Sequence, residues 1–421
     1  MSAAEVDRWV AAPQGVPRLF AGLTGDGRAI GLDAHLERYG APPRMGRDLI
    51  PLVEQSGLTG RGGAAFPTGR KLAAVAARRG RTTVVVNAVE GEPASGKDRA
   101  LLRHVPHLVL DGAMLAAEAL GAREAIVAVG GASEIELATL AKAVESRARR
   151  RIDGRVRLRV VDAPGTFVAG EETALVNFIG GGPAKPTFGQ KPFERGILVQ
   201  NAETIAHLAL LARFGPAWFR EVGTRDEPGS ALVTLTGGVQ TRGVYEIALG
   251  TTFDQLFAQA GGITEPLRAV LVGGYFGSWI DATTAGGASL LDAALLPYRA
   301  SLGARAIVAL PEGACGVIET ARVARYLADE SAGQCGPCVH GLHAIADSLV
   351  RLARRERHDR ARLGRWVEQV RGRGACKHPD GAARFVASGL EIFADEVDRH
   401  LRGRCSGSNR AILPLPRREK T

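Results

Sequence analysis

The sequence predicts a mixed α/β protein built from three successive parts, because the pattern of the chain changes twice. Between about residues 50 and 210, short β-rich runs alternate with helical runs, which favours layers of strands and helices. Between about 228 and 300, strands and glycine-containing turns surround one short helix, and from about 312 onward the pattern is helical. We expect an α/β domain, a small α+β module, a helical-bundle domain and a tail, at 1–227, 228–305, 306–405 and 406–421.

Composition and hydropathy limit the class of protein. Of the 421 residues, 45% are hydrophobic and 23% are charged, an ordinary globular balance that excludes wholesale disorder. No apolar run is long enough to predict a membrane-spanning helix. The first residues carry early acids and lack a basic segment followed by an apolar one, so they do not indicate a signal peptide. We therefore expect a cytoplasmic protein, reaching a membrane only through partners.

The first part contains two predicted buried strands, TTVVVNAV and AIVAVGG, which are short, apolar and bounded by turn residues. Helical segments surround them: RKLAAVAARR, HLVLDGAMLAAEALGA, ELATLAKAVESRARR and HLALLARFGPAW. The middle part predicts strands in ALVTLTGGVQTRGVYEI and AVLVGGYFGSWI, and a short helix in TTFDQLFAQAGG with a Thr start and a Gly stop. Four helices are predicted in the last part: VIETARVARYLADES, LHAIADSLVRLARRE, ARLGRWVEQVRGR and AARFVASGLEIFADEVDRHL.

A glycine-rich motif, GLTGRGGAAFPTGRKL, spans residues 57–72 and leads into a predicted helix. Gly60, Gly62 and Gly63 leave room for a ligand to approach the backbone. Loop amides, a helix N-terminus, Arg61 and Lys71 would together bind an anion. The dinucleotide fingerprint Gly-x-Gly-x-x-Gly is absent in that form, so a tight exposed turn remains an alternative.

Polar residues follow the first predicted strand and open a later helix. Asn87, Glu90 and Glu92 come at the end of a strand, where open α/β sheets bind ligands, although they are alternatively ordinary loop residues. Glu171 and Glu172 precede an apolar helix whose positive end they could simply stabilise. Lys185 and Phe188 follow three glycines and suit the phosphates and adenine of a nucleotide, or are surface residues; the next polar patch is QNAET at 200–204.

The five cysteines do not form a disulfide framework, and their spacing favours a metal centre. Cys335 and Cys338 form a C-x-x-C pair, and Cys376 opens a later helix. A lone pair fits a redox dithiol, a zinc half-site or part of an iron–sulfur cluster. The third cysteine favours a cluster over zinc or no metal.

Most of the net charge of +10 lies near the C-terminus. Residues 351–421 contain 18 Lys+Arg against 9 Asp+Glu. This is either a solvated arginine-rich helical surface or a dock for an acidic partner. No nucleic-acid-binding motif accompanies it, so nucleic acid is not the expected partner.

Taken together and in order, these motifs resemble the NADH-binding flavoprotein subunit of respiratory complex I and the related diaphorase subunits of soluble hydrogenases and NAD-dependent formate dehydrogenases. The matching motifs, which cover roughly residues 30–402, are SGLTGRGGAAFPTGRKL, NAVEGEP with KDR, GEETALVNF, AKPTF, QNAET, ESAGQCGPC and the late Cys376. The resemblance implies a Rossmann-like FMN/NAD domain, a small β-grasp-like (SLBB) module and a helical-bundle iron–sulfur domain. It also implies that NADH reduces FMN and that a 4Fe–4S cluster carries the electrons away.

The resemblance assigns site residues as well. The FMN site would use Gly60, Arg61, Gly62, Lys71, Asn87, Glu90, Gly170, Glu171, Asn201 and Thr204. The dinucleotide site would use Phe66, Glu92, Glu172, Lys185 and Phe188. Phe66 and Phe188 would sandwich the adenine, while Glu172 would accept the ribose hydroxyls and repel a 2′-phosphate. Glu92 and Glu172 are the candidate catalytic residues, and the cluster ligands would be Cys335, Cys338 and Cys376.

The chain departs from the family pattern at each site. Val89 replaces an Asp, Ala74 an aromatic residue, Gln200 an Asn, and Ala332 the first cluster cysteine. We therefore expect weakened FMN binding and a cluster with three cysteine ligands that can decay to 3Fe–4S. The fourth ligand would be non-cysteine, from His340, His378, Asp380 or water, because predicted helices separate Cys315 and Cys405 from the cluster loop.

The expected function is that of an electron-transfer flavoprotein subunit. It would oxidise NADH through FMN and an iron–sulfur cluster, and would reduce a separate ferredoxin or iron–sulfur subunit. Two alternatives remain: the reverse flow from ferredoxin to a nicotinamide nucleotide, and a non-catalytic subunit that carries a cluster or serves as a scaffold.

Overall fold

The first part of the protein is a parallel sheet with helices on both faces. The computed structural model describes residues 18–23, 29–130, 134–356 and 359–416. Its four-stranded sheet has the order β3-β2-β1-β4 and contains β1 Thr83–Val89, β2 Glu124–Gly130, β3 Arg157–Ala163 and β4 Ile197–Asn201. Alternate residues of β1 point to opposite faces, so Val84 and Val86 enter the large core while Val85 and Val89 enter a smaller one.

The helices of this part are α1 Leu32–Tyr39, α2 Leu49–Ser56, α3 Thr68–Ala76, α4 Lys97–His104, α5 Pro106–Leu120, α6 Glu134–Arg149, α7 Glu172–Ile179 and α8 Ala202–Arg220. The predicted strands and helices of this part are confirmed to within a few residues at their ends. Helix α8 is kinked at Gly215, whose φ of 80° precedes Pro216. The predicted first residues of the domain lie outside the described residues.

The middle part is a mixed five-stranded sheet of order β6-β5-β9-β7-β8. Its strands are β5 Ser230–Gly237, β6 Gly243–Ala248, β7 Leu267–Val272, β8 Ser278–Asp281 and β9 Ala306–Pro311, and its helices are α9 Phe253–Gln259, α10 Ala282–Ala285 and α11 Asp292–Leu295. The predicted short helix is confirmed as α9, and a capping box of Thr252 and Gln255 begins it. Strand β9 pairs with both β5 and β7, so this module extends beyond the predicted boundary at residue 305.

The last part is helical, as predicted. Its helices are α12 Gly316–Asp329, a π-helix at Pro337–Leu342, α13 His343–Ala353, α14 Arg360–Val370, α15 His378–Ile392 and α16 Ala394–Leu401. The fourth predicted helix is divided at Phe393 into α15 and α16. Within the described ranges, no helix combines the length and the apolar character that crossing a bilayer requires. Residues 357–358 and 417–421 of the predicted basic region and tail fall outside these ranges.

A buried ion network lies at the carboxyl ends of β1 and β4. The ammonium of Lys97 is 3% exposed and lies 2.8 Å from Asp98 Oδ1, 2.8 Å from Asn201 Oδ1 and 3.2 Å from Glu203 Oε2. Asn201 also donates to Asp98 Oδ2 at 2.7 Å. Parallel register places Asn87 opposite Asn201, so both amides lie at the same edge of the sheet. Two carboxylates therefore share one buried cation.

We expect Lys97→Met to lower the free energy of unfolding by about 3–5 kcal/mol, because it leaves two buried carboxylates without their cation. The measurement is the urea unfolding midpoint followed by circular dichroism. The control is Lys142→Met on exposed α6, expected within ~0.5 kcal/mol of wild type. Equal shifts in the two variants would show that the network contributes no special stability.

Candidate functional site

A cavity of about 590 Å³ lies at the carboxyl edge of the parallel sheet and is walled by all three parts of the chain. This volume is in the range of cofactor sites. Most of the predicted site residues line it: Gly60, Arg61, Gly62, Phe66, Lys71, Asn87, Glu90, Glu92, Gly170, Glu171, Glu172 and Asn201. Three residues predicted for the FMN and dinucleotide sites do not line it: Lys185, Phe188 and Thr204.

The glycine-rich loop is fixed from beneath by Arg61. Its guanidinium is 1% exposed and donates to Thr59 Oγ1 at 3.1 Å and to the carbonyls of Pro228 and Ser230 at 3.4 and 3.1 Å. Burial lowers the pKa of Arg61 to about 9. Thr204 Oγ1 accepts the Arg61 N–H at 2.8 Å. Arg61 and Thr204 therefore position the loop, and the Arg61 charge is directed away from the cavity rather than into it, contrary to the anion-binding interpretation.

The polar end of β1 is ordered by its own hydrogen bonds. Asn87 Nδ2 donates to Gly170 O at 2.8 Å, which ties β1 to the start of α7. Glu90 accepts the N–H groups of Asp98 and Arg99 at 3.2 and 3.1 Å, so its carboxylate satisfies the N-terminus of α4. Glu90 thus fixes the N-terminus of α4 against the cavity, which both Glu90 and Asp98 line.

Glu92 is a buried carboxyl group in the cavity wall. Its Oε2 accepts the Tyr275 N–H at 2.7 Å and its Oε1 accepts the Ala94 N–H at 3.1 Å. Burial raises the pKa of Glu92 to about 7 in spite of these two hydrogen bonds. A carboxyl group with this pKa can give or take a proton at physiological pH.

Lys71 and Glu172 form an ion pair on the wall of the cavity. The Lys71 ammonium contacts the Glu172 carboxylate and donates to Val199 O at 2.8 Å. The neighbouring Glu171 accepts the N–H groups of Thr173 and Ala174 at 2.9 and 3.0 Å, so it caps α7 as the simpler interpretation of its position suggested. Of the two glutamates, Glu172 is the one paired with a cation.

Two aromatic side chains lie exposed near the cavity. Phe66 is 44% exposed at its wall, with the Arg70 guanidinium 5.9 Å from the ring centre, and Phe188 is 65% exposed outside the wall. Lys185 is exposed close to Phe188 in the chain. Exposed rings offer faces on which a planar base can stack. The adenine sandwich remains a prediction.

The three predicted cluster cysteines interact electrostatically. Burial, followed by the neighbouring Cys335 and Cys376, raises the pKa of the Cys338 thiol. The Cys338 N–H donates to Cys335 O at 3.0 Å within the C-x-x-C turn. Burial opposes ionisation of Cys335, but hydrogen bonds from the Ala375 and Cys338 N–H groups lower its pKa. The Ala375 contact brings the C-x-x-C turn against the segment that carries Cys376, and Cys376 also lines the cavity.

The suggested fourth ligands differ in placement. His378 is buried, its Nε2 lies 2.7 Å from Leu327 O, and its Nδ1 has no hydrogen-bond partner among the described residues. His340 is exposed, while Asp380 accepts the Gly372 N–H at 2.7 Å. His378 also contacts the rings of Phe167 and Phe276, at centroid distances of 5.6 and 5.2 Å, on the cavity side.

Sequence reasoning missed several cavity residues, among them Lys97, Phe167, Phe276, Lys191 and Arg384. Lys97 had a signal, since it begins the KDR that follows NAVEGEP. The others come from loops and helices far apart in the chain, and only the packing of the three parts brings them to one cavity.

Comparison with known proteins covers the same three parts. Residues 53–210 match the Nuo51 FMN-binding domain, 232–274 the SLBB domain, and 319–400 the NADH-ubiquinone oxidoreductase-F iron-sulfur binding region. The F subunit of NADH-quinone oxidoreductase in Streptomyces coelicolor is 31% identical over 388 residues, covering 85% of this chain and 84% of that protein. Its counterpart in Mycobacterium tuberculosis is 32% identical over 390 residues, covering 85% of each. The chain belongs to the family of NADH-quinone oxidoreductase F subunits.

Solved structures agree with the assignment to this family. The NAD+-reducing [NiFe]-hydrogenase in its air-oxidised state contains a chain with a TM-score of 0.80 and 28% identity, covering 89% of this chain and 67% of that one. The structure of the same hydrogenase in its H2-reduced state has a TM-score of 0.79 and 27% identity, with the same coverage of both chains. This member of the F subunits is accordingly an NADH-oxidising flavoprotein, with an FMN-binding domain and an iron–sulfur region.

The residues present fit both cofactors of the F subunits. Gln200 lines the cavity with a buried Nε2 that has no hydrogen-bond partner among the described residues, which suits a ligand that offers an acceptor oxygen. Val89 forms an apolar part of the cavity wall. Its side chain packs closely against Gly130, where an added Cβ would lie 2.3 Å from Val89 Cγ1. The thiols of Cys335, Cys338 and Cys376 are the soft donors that an iron–sulfur cluster uses.

We expect Ala332→Cys to make the cluster more stable in air, because it adds a fourth thiolate and closes an exposed iron. Ala332 is buried, and the Gly333 N–H next to it donates to the Cys338 thiol, so residue 332 lies beside the ligands. Iron and sulfide per chain, with EPR spectra, are measured before and after exposure to air, with Ser331→Cys as the matched control. Wild-type protein that loses no iron in air would contradict the three-cysteine assignment.

Proposed function

We propose that FMN binds in the cavity against the Gly60–Gly63 loop, that NADH enters past Phe66, and that electrons leave through the cysteine cluster. The observation that carries this proposal is the position of Cys376, which lines the cavity wall. Cys376 is also one of the three predicted cluster thiols, Cys335, Cys338 and Cys376, which we call the three-thiol group. When bound, FMN accepts a hydride from NADH and returns the electrons one at a time. The remaining roles belong to residues of this chain.

Two lysines line the cavity, and both are paired with carboxylates. Lys71 pairs with Glu172, and Lys97 pairs with Asp98 and Glu203. In the proposed arrangement Glu172 accepts the hydroxyls of the adenosine ribose, and Phe66 and Phe188 hold the adenine between them, with Lys185 near its phosphates. Glu92 supplies a carboxyl group beside the reacting ring that can be protonated or ionised at neutral pH.

Aromatic side chains line the way from the cavity to the cluster. Phe167 and Phe276 contact each other at a centroid distance of 4.8 Å, and both contact His378, two residues from Cys376. The carboxylate of Glu330 accepts the Phe167 N–H at 3.0 Å, which fixes this segment to the end of α12. In the proposed arrangement, this aromatic packing lies between the flavin cavity and the cluster.

The first test of the proposal is bound flavin that NADH reduces. Protein purified anaerobically is reconstituted with FMN, and the loss of flavin absorbance on addition of NADH is recorded. Bleaching by NADH supports the enzyme, whereas a chain that retains no flavin after reconstitution is a scaffold or cluster carrier. Bleaching by reduced ferredoxin but not by NADH would instead favour the reverse direction of flow.

We expect Glu172→Gln to reduce the preference for NADH over NADPH by about tenfold, or ~1.4 kcal/mol, because it removes the charge that repels a 2′-phosphate. The ratio of kcat/KM for the two nucleotides is measured by dye reduction. Glu145→Gln on exposed α6 is the matched control and leaves the ratio unchanged. An unchanged ratio in Glu172→Gln would remove Glu172 from the ribose site.

The proposed partner is an acidic ferredoxin or iron–sulfur subunit. The relatives are named as subunits of NADH-quinone oxidoreductase, and the solved structures come from a hydrogenase. Five basic side chains are exposed on α14 and in the stretch of chain that contains Cys376, and we call them the basic surface: Arg362, Arg365, Arg371, Arg373 and Lys377. A partner that accepts electrons must approach the cluster, and this surface attracts negative charge there. The proposal includes a cytoplasmic location, with any membrane contact made through partners.

We expect electron transfer to an acidic ferredoxin to slow as salt rises, because the Debye length falls from ~10 Å at 0.1 M to ~3 Å at 1 M. The double variant Arg373→Glu and Lys377→Glu should slow the reaction at low salt and flatten its salt dependence. Arg149→Glu, on exposed α6, is the control for a change of net charge alone. Rates insensitive to salt in the wild type would contradict docking at the basic surface.

A further inference from the structure

Four metal-binding side chains meet in the helical part, apart from the cavity and the three-thiol group. Cys315 precedes α12, Glu396 and His400 lie on α16, and Cys405 follows α16. One ligand atom from each lies within 4.8 Å of the other three. Cys315, Glu396 and His400 are 1%, 2% and 0% exposed. The sequence analysis expected predicted helices to separate both cysteines from the cluster loop, but it did not predict that they approach each other.

Two distances within this group are close to the edges of a tetrahedron around a single ion, and all four ligand atoms lie within 4.8 Å of one another. Cys315 Sγ lies 3.4 Å from His400 Nε2, and Nε2 lies 3.5 Å from Glu396 Oε1. A tetrahedral zinc ion with sulfur at about 2.3 Å and nitrogen or oxygen at about 2.0–2.1 Å spaces its ligand atoms about 3.3–3.8 Å apart. The group therefore needs little rearrangement to hold one ion.

The imidazole of His400 is already oriented as a ligand. Its Nδ1 lies 3.0 Å from the carbonyl oxygen of Leu352, which accepts only, so Nδ1 carries the proton. The lone pair of Nε2 then faces Cys315 and Glu396. This arrangement, with one ring nitrogen donating to a carbonyl and the other free to bind, is typical of metal-bound histidine.

The surrounding charges compensate a metal with two thiolates and a carboxylate. A divalent ion with these ligands and a neutral imidazole has a net charge of about −1. Arg268 and Arg399 lie 3.6 and 3.5 Å from Glu396 Oε2. The Ser406 N–H donates to Glu396 Oε1 at 2.8 Å and orients the carboxylate.

Local folding places the four ligands without strain. Glu396 and His400 are four residues apart and share one face of α16. The Ser408 N–H donates to Gly313 O at 2.8 Å, and a Cβ on Gly407 would lie 2.6 Å from the Cys315 nitrogen. The segment that carries Cys405 is thus held directly against the start of α12.

We propose that Cys315, Glu396, His400 and Cys405 bind a structural zinc ion. The ligand set is complete and largely buried, so the ion has no open position for a substrate. It ties the C-terminal segment and α16 to Cys315, which immediately precedes α12, and so connects the two ends of the helical part. Zinc is chosen because two thiolates, one imidazole and a tetrahedral spacing select it.

The test is the zinc and iron content of the full-length chain, purified anaerobically with a tag that binds no metal. Inductively coupled plasma mass spectrometry of the wild type should give one zinc per chain. Cys315→Ser and Cys405→Ser should lose the zinc and keep the iron, while Cys335→Ser, the matched control, should lose iron and keep zinc. X-ray absorption at the zinc edge should show two sulfur ligands at about 2.3 Å.

A second measurement uses only wild-type protein, in case the serine variants do not fold. Alkylation of thiols followed by peptide mass spectrometry should find Cys315 and Cys405 protected until a zinc chelator is added. Substoichiometric zinc, zinc that Cys315→Ser retains, iron in its place, or a Cys315–Cys405 disulfide would each overturn the proposal. Because the readout is zinc, these outcomes are independent of flavin reduction by NADH.

Discussion

The centre of this protein depends on neutralising a single buried ammonium. Lys97 is 3% exposed and contacts Asp98, Asn201 and Glu203, and these partners come from two different points of the sheet edge. The network extends into the middle module, because Glu203 Oε1 accepts the Leu232 N–H at 2.8 Å. Burial of these charges is tolerated only while all partners are present, so the network specifies one arrangement of the strand ends.

Across the cavity, the first part and the middle module are joined by polar contacts to backbone groups. Arg305 Nη1 donates to Arg61 O at 2.8 Å, which attaches the middle module to the glycine-rich loop. Glu92 joins the end of β1 to Tyr275 of the same module. Each contact uses a side chain from one part and the main chain of another. In each contact one of the two groups is therefore a main-chain group, whose position does not depend on a side-chain rotamer.

Regular elements and motif positions could be predicted from the sequence, because they follow from local periodicity and turn residues. Strand β3 was not predicted, although the alternation of charged and apolar residues in RLRVVDA is typical of a half-exposed strand. Strand β9 is apolar throughout, but nothing local shows that it inserts between β5 and β7.

The direction of a side chain was also beyond the sequence. Arg61 was assigned to the site by its motif, yet its guanidinium points to carbonyls at residues 228 and 230, more than 160 positions away. The meeting of Cys315 with Cys405 had a partial signal in the spacing Glu396-x3-His400-x4-Cys405. The fourth member of the group, Cys315, could not be predicted, because the chain after α16 returns to the start of α12 through contacts between residues far apart in the sequence.

The raised pKa of Glu92 gives the cavity a proton linkage. At pH near 7 its carboxyl group is part protonated, because burial has moved its pKa to about 7. Any ligand that adds negative charge to the cavity raises that pKa further, so the protein takes up a fraction of a proton as the ligand binds. Affinity for anionic ligands then weakens as the pH rises through neutrality. The occupancy of the site and the acidity of its surroundings are thus coupled through one carboxyl group.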